Sequence, residues 1–409
     1  MQNSPPNAQS IPADIETTYM SAGLIKTTAI VSAAQILLSL FDASSLATLQ
    51  FPYNATDQPT PVYFPHPKLP NFRFVGEQFG ASTWSNFPVS DVPRPGIRLG
   101  EMNTAQHSAV MHLLRTALSE KGFRKVQEIM GSDQMLADSG VPYTAGRAAY
   151  TVAILGEPGM EKVWMIQFGG HHLALNIAVC GENAVLTPVL TGALPASYTG
   201  EDGEKRVLAG ENDKAFALMG SFSESQRKEA AFDHPVSDMV QGPGDFDKTL
   251  PNVGIQGSHL DSSQKEMLLD LISEWVGILN NVHSASRIAE VQNGLDNTCF
   301  AWSGPLEHEP GRNGASYFRI RGPNLFIEFS PQFPGGDLTM HVHTIYRDPS
   351  RAYGRTLPEG LLEREGYREL FSLSQPNKMD LDCSTQSRCW WCSLACSSNL
   401  RSRLHSLGN

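Results

Sequence analysis

The sequence predicts an α+β fold, with helices laid on a mixed or antiparallel sheet. Three observations carry this. Apolar residues recur at three- and four-residue steps in several stretches, as on one face of a helix. Short apolar runs come in pairs around tight-turn residues, as in β-hairpins. Helices followed by a hairpin then occur twice, which suggests an internal duplication with halves near 94–200 and 250–350; plain alternation of helices and strands would give the same order.

In chain order, residues 1–23 read as a disordered lead. An amphipathic helix is expected over 24–49, with Ile25, Ala29, Ala33, Ile36, Leu37 and Leu40 as its apolar stripe. The Pro-, Phe- and Asn-rich run from Phe51 to Val92 reads as an irregular surface segment anchored by Trp84 and Phe87. A helix starts at Asn103 or Thr104 and breaks at Ser119-Glu120-Lys121-Gly122, and a second one runs through Val126, Ile129 and Met130. Tyr150–Leu155 and Val163–Phe168 read as strands. Gly169-Gly170 is the expected hairpin turn, because both central residues of the favoured turn need positive φ, and His171–Val179 is the return strand. Phe216–Phe232 is helical. Leu260–Leu279 is a helix capped by Asp261, with Gln264 completing a capping box. Phe300–Trp302, Tyr317–Ile320, Leu325–Phe329 and Thr339–Tyr346 follow as strands. Residues 359–409, rich in Ser and Cys, read as a disordered tail, leaving one domain over 24–358.

Composition narrows the function. A hydrophobic share of 41% supports a sizeable core, and a net charge of -11 argues against nucleic acid and anionic membranes as partners. Four of the six cysteines crowd the tail and two stand alone, which is not the framework of a disulfide-stapled secreted domain. The lead lacks the basic-then-apolar order of a signal peptide, and no stretch reads as a membrane span. The expectation is a cytoplasmic protein with a small-molecule substrate, its oligomeric state left open.

Two histidine pairs stand out. On a strand, residues i and i+2 share a face roughly 6–7 Å apart. His341 and His343 can therefore point to one place, and Arg347 shares their face. In the strand after Gly170, His172, Ala174 and Asn176 share the face that has room for a ligand, while Leu173, Leu175, Ile177 and Val179 form the core face; His171 sits at the turn. Imidazoles suit zinc, iron or copper, so His172, His341 and His343 are candidate ligands of a divalent transition metal. Taken alone, either pair is more often simply hydrogen-bonded within a sheet; two such pairs with polar companions favour a shared site. Arg319 and Arg321 share a strand face with Glu328 opposite, fitting either anion recognition or a salt-bridged surface. Asp348 can cap a turn or orient a histidine. Cys389-Trp390-Trp391-Cys392 with Cys396 lacks the second half of a zinc knuckle.

Several segments resemble a known family when taken together. They are Trp164-Met165-Ile166-Gln167-Phe168-Gly169-Gly170-His171-His172-Leu173-Ala174-Leu175-Asn176, Trp84-x-x-Phe87-Pro88 with Arg94-Pro95-Gly96, Phe300-Ala301-Trp302-x-Gly304, Tyr317 to Pro323, Ile327-Glu328, and His341-x-His343-x-x-Tyr346-Arg347-Asp348. The family is the bacterial and fungal "domain of unknown function 3500", and the resemblance covers roughly residues 24–358. It implies no established activity. It implies polar motif positions at His171, His172, Asn176, Arg319, Glu328, His341, His343, Arg347 and Asp348, and, from the gene surroundings of fungal members, a place in secondary metabolism. The chain departs from the family at Arg351-Ala352-Tyr353-Gly354, where an Asp-Tyr-Gly segment is usual, in its Cys-rich ending, and in an insertion around Val62 to Gly80.

The expected function is a histidine-centred, metal-dependent hydrolase or oxygenase acting on a small anionic metabolite. His171 would be a base or alternate ligand, Asn176 would bind substrate or a ligand, Arg319 and Arg347 would grip the anion, and Glu328 and Asp348 would support them. A metal-free acid/base enzyme and a non-catalytic binding or scaffold protein are the alternatives.

Overall fold

The computed structural model describes residues 21–360, except 142–145, 247 and 249. These residues belong to one compact unit, 1–363. Most of the predicted lead (residues 1–20 of 1–23) and of the predicted tail (361–409 of 359–409) lies outside the described residues, as do Cys383, Cys389, Cys392 and Cys396.

The chain opens with α1 (Ala22–Ser39), α2 (Ala43–Leu49) and the short β1 (Gln50–Phe51), followed by β2 (Thr60–Pro65), β3 (Arg73–Phe79) and β4 (Ser82–Trp84). Next come β5 (Ile97–Arg98), α3 (Thr104–Ala117), α4 (Glu120–Asp138), β6 (Thr151–Leu155), β7 (Trp164–Gly170), β8 (Leu173–Cys180) and β9 (Asn183–Ala193). After β10 (Ser197–Gly200), β11 (Gly203–Arg206), α5 (Ala209–Ser221) and α6 (Glu224–Ala230), the order short strand, two helices, four strands recurs. Its members are β12 (Ile255–Gln256), α7 (Ser262–Val276), α8 (Asn281–Asn293), β13 (Cys299–Ser303), β14 (Tyr317–Gly322), β15 (Leu325–Pro331) and β16 (Val342–Arg347).

Eleven strands form one mixed sheet in the order β1-β6-β7-β8-β9-β16-β15-β14-β13-β12, with β5 also on β6. Only β1 runs parallel to its neighbour; the other pairs are antiparallel. The strands that end each run, β9 and β16, meet at the centre, so segments some 150 residues apart become direct neighbours. One face of the sheet carries Phe168, Leu173, Leu175, Ile177, Val189, Val342, Phe318 and Ile327 and packs in one apolar core with residues of α1, α3, α4, α5 and α7. The other face carries Ala174, Ala178, Leu190, Ile345 and Phe326 and is covered by Phe79, Trp84 and Tyr353. Burial on both faces explains why these strands read as nearly continuous apolar runs.

Several expectations hold. Asn103 caps α3 and Asp261 caps α7, each with the capping box its Gln three residues on provides. α3 ends at Ala117 with Leu118 as its C-cap, and Ser119 caps α4, whose first turn takes up Glu120, Lys121 and Gly122 of the expected break. Others are corrected. The helix expected over 24–49 is two helices; α1 begins within the predicted lead at Ala22, and it buries Leu24, Thr27, Ile30, Val31, Ala34 and Leu37 while Ile25, Ile36 and Leu40 are exposed. Of the expected stripe only Ala33 and Leu37 are buried; both faces of α1 are apolar, so periodicity alone did not fix which one packs inward. By length and composition α1 could also cross a membrane, contrary to the reading that no stretch could; here it packs on α3 and α8. The segment 51–92 is not irregular: β2, β3 and β4 form a three-stranded antiparallel sheet. Gly169 and Gly170 end β7 rather than forming the turn. An added Cβ would lie 2.4 Å from Leu173 O at Gly169 and 2.9 Å from the Tyr150 ring at Gly170, so close approach explains these glycines. The turn itself is His171-His172, with His172 at φ 60°.

Candidate metal centre

The site forms where β8, β9 and β16 meet at one end of the sheet. Leu173 pairs with Thr191, and Gly192 pairs with His343. His172, Gly192 and His343 therefore stand in one row across three strands. Two strand spacings, roughly 10 Å, separate the outer backbones, and the imidazoles close that gap over Gly192. A side chain there would sit 3.1 Å from His343 Cδ2 and 3.3 Å from His172 Cβ. Position 192 must therefore be glycine for the rings to meet. His341 joins the cluster from two residues before His343.

The result is a buried trio. His172 Nε2 lies 3.2 Å from His341 Nε2, and His341 Nε2 lies 3.1 Å from His343 Nε2. One nitrogen from each of the three lies within 4.8 Å of the others. Tetrahedral ligands with bonds of 2.0–2.1 Å stand about 3.3 Å apart, so the two short separations suit one metal ion. Burial pushes all three imidazoles toward the neutral form that binds metals: His341 falls to about 4, and His172 and His343 lie well below the usual histidine value. His341 Nδ1 lies 2.7 Å from Pro334 O, an atom that only accepts. That nitrogen therefore carries the proton, and Nε2 presents a lone pair to the cluster.

Beside the trio, His171 stacks on His172 with ring centroids 3.7 Å apart, and its Nδ1 lies 2.7 Å from Asp133 Oδ1. Both residues are buried. Sequence reasoning missed Asp133, although a signal existed. It continues the Val126, Ile129, Met130 stripe of α4 at the next helical step, which puts a carboxylate where the core expects an apolar residue. Gly192 was missed because β9 was not recognised.

The remaining predicted residues lie elsewhere. Asn176 does not face the trio: it is buried at an irregularity between β8 and β9, donating to Pro188 O at 2.9 Å and accepting from Gln167 at 3.3 Å. Arg347 shares a face with His343, but four of the five N–H donors of its guanidinium go to Glu77 (2.7 and 3.1 Å), Gln241 O and Gly242 O. It thus secures the small sheet to the large one, with its charge paired to a buried carboxylate. Asp348 pairs with Arg287 at 3.1 Å and caps Ser350 at 3.0 Å, and it touches no histidine of the cluster. Glu328 accepts from Tyr317 Oη (2.5 Å), Val240 N and Gln241 N. With those bonds it is not a fourth ligand, and among the described residues the metal-competent group is the three histidines alone. Arg319, in register with Glu328, donates from Nε to Tyr317 Oη at 2.9 Å and from Nη2 to Glu328 at 3.5 Å. Its Nη1 makes no hydrogen bond among the described residues.

Fold and site together define an α+β protein with a buried three-imidazole cluster at one end of the central strands of a two-faced sheet. Residues 70–355 match the family described as "Protein of unknown function (DUF3500)", and the chain belongs to that family. No curated protein and no solved structure matches it.

Proposed function

We propose that this protein is a metal-dependent enzyme in which His172, His341 and His343 hold one divalent transition ion (zinc, iron or copper) and the substrate is a small anionic metabolite. The observation that carries the reading is the convergence of three buried nitrogens, one of them with its lone pair fixed toward the others by Pro334 O. A metal held by three protein nitrogens keeps a position for water or substrate, lowers the pKa of that water and polarises a substrate oxygen. Hydrolysis is favoured over oxygen chemistry by the neighbouring Asp133–His171 pair: with Nδ1 turned to the carboxylate, the imidazole is oriented to take up a proton through Nε2. Arg319 is the better candidate for the substrate's anionic group, since the charge of Arg347 is paired with Glu77.

The same Asp133–His171 contact supports a second reading, metal-free acid/base catalysis. Metal analysis of the purified chain separates the two. About one equivalent in the wild type, lost in His343→Ala, is expected; less than about 0.2 equivalents with no gain on reconstitution sinks the metal reading. The proposal also places the protein in the cytoplasm, supported by the packing of α1 onto the domain. It derives the two halves from one duplicated unit, supported by their shared element order. A role in secondary metabolism belongs to the same proposal and rests on the family resemblance.

A further inference from the structure

The segment Trp84-x-x-Phe87-Pro88 with Arg94 takes no part in the chemistry above, yet it closes over the histidines. His172 N donates to Asn86 O at 3.2 Å, and the Asn86 side chain reaches His343 Nδ1 at 3.4 Å. Asn86 therefore touches both histidine segments, which lie 171 positions apart in the chain. Arg94, half-buried, holds the loop in place by donating to Ser85 O at 2.9 Å, Phe87 O at 2.5 Å, Gly170 O at 3.2 Å and Val92 O.

Proton accounting decides which end of the Asn86 amide meets His343. As placed, Nδ2 lies near His343 Nδ1 and Oδ1 lies 3.5 Å from Ser85 Oγ. Ser85 has one hydroxyl proton, and it goes to Val75 O at 2.6 Å, the shorter and better acceptor. The 3.5 Å contact then has an oxygen facing an oxygen with no proton between. Exchanging the two ends of the amide gives the Ser85 contact a donor, Nδ2, and turns Oδ1 to His343 Nδ1 as an acceptor.

We infer that Asn86 is a positioning residue of the three-histidine centre, its carboxamide oxygen holding the proton of His343 on Nδ1 so that Nε2 faces the cluster as a lone pair. This rests on the reading of the cluster as a metal site and adds how one ligand is prepared for it. Such partners set the tautomer and ring orientation of a metal-bound histidine, and losing one typically lowers metal affinity about 10–100-fold.

The experiment uses the full chain, cobalt(II) and zinc(II) as probes, and the variants Asn86→Leu and Asn86→Asp. Three readouts are taken: metal affinity by competition with a chelator dye, the visible spectrum of the cobalt form, and the His343 tautomer in the metal-free protein by nitrogen-15 NMR. Asn86→Leu is expected to weaken binding about 10–100-fold, alter the cobalt spectrum and release His343 from the Nδ1–H tautomer. Asn86→Asp, which keeps an acceptor, is expected to restore affinity to within about threefold and to keep that tautomer. Equal affinity, an unchanged spectrum and an unchanged tautomer in Asn86→Leu would overturn the inference. A wild-type chain that binds neither metal overturns the metal reading instead, and the NMR comparison still decides the role of Asn86.

Discussion

Gly192 offers the most direct test of how this site is built. Replacing it with alanine adds one carbon between the two halves of the cluster. That carbon would lie 2.7 Å from Val342 O, 3.1 Å from His343 Cδ2 and 3.3 Å from His172 Cβ. The first distance is shorter than real Cβ contacts allow, and the atom it meets is backbone of the central strand pair, so β9 and β16 must separate by several tenths of an ångström. Overpacking of this kind costs about 1–3 kcal/mol. For a body of roughly 340 residues the unfolding entropy is about 0.7 kcal/mol/K, so Tm should fall by about 1.5–4 °C. The functional loss should be larger than the thermal one. Ligand bonds tolerate displacements of only about 0.2 Å, and a shift of that size at two of three histidines should weaken zinc binding at least about tenfold. Scanning calorimetry and chelator competition measure the two effects. Gly220→Ala is the control: nothing lies within 4 Å of that position in α5, so alanine should raise stability, by about 0.5–1 kcal/mol. A Gly192→Ala protein with wild-type Tm and wild-type zinc affinity refutes the argument that an empty position lets the histidines meet.

Three further outcomes are expected. Zinc at about 1,000 times its Kd should stabilise the protein by about 4 kcal/mol, near 6 °C in Tm, and His343→Ala should abolish the shift in thermal melts. Arg347→Met leaves Glu77 buried without its cation and should cost about 3–5 kcal/mol in urea unfolding while metal stoichiometry stays unchanged; loss of metal with intact stability would return Arg347 to the site. His283, buried between Thr27 and Asn280, is lowered by burial to about 4. Between about pH 6.5 and 4 the unfolded chain binds a proton there that the folded chain refuses, so stability is full above pH 6.5 and is lost as pH falls toward 4, by about 3 kcal/mol at 1.36 kcal/mol per unit. His283→Gln should flatten that part of the urea-derived profile, and an unchanged slope would show that His283 does not carry it.

The sequence made the strands and caps legible because each is a local matter. Asp261 with Gln264 and Asn103 with Gln106 are complete signals within four residues. The alternation around His343 correctly separated Thr344 and Tyr346, which face the helices, from Ile345, which faces the small sheet. What failed depended on packing between distant segments. Whether Ile25 or Ile30 of α1 is buried depends on where α3 and α8 lie. Whether Gly169-Gly170 bends the chain or admits a neighbour depends on Tyr150 and Leu173. The charged residues misled for a related reason. Arg347, Glu328 and Asp348 have the polarity of a site, but their partners Glu77, Val240 and Arg287 come from segments whose approach no local pattern records.

The trio sets a charge problem that a bound cation would answer. A neutral imidazole carries one proton. His341 gives its proton to Pro334 O, and under the inference drawn above the Asn86 amide oxygen keeps that of His343 on Nδ1. Two lone pairs then face each other at 3.1 Å, and His172 Nε2 can donate to His341 but leaves His343 without a donor. Adding a proton to the pair would relieve the repulsion. Burial opposes this, since it lowers His341 to about 4 and holds His343 well below the usual value, with no carboxylate among the three to offset the charge. A divalent cation meets the same demand differently: it binds lone pairs rather than competing with the protons on Nδ1, and its bonds to nitrogen offset its loss of water. The arrangement that disfavours imidazolium is therefore the one that favours a metal, and the groups that impose it, Pro334 O and Asn86, lie outside the ring of ligands.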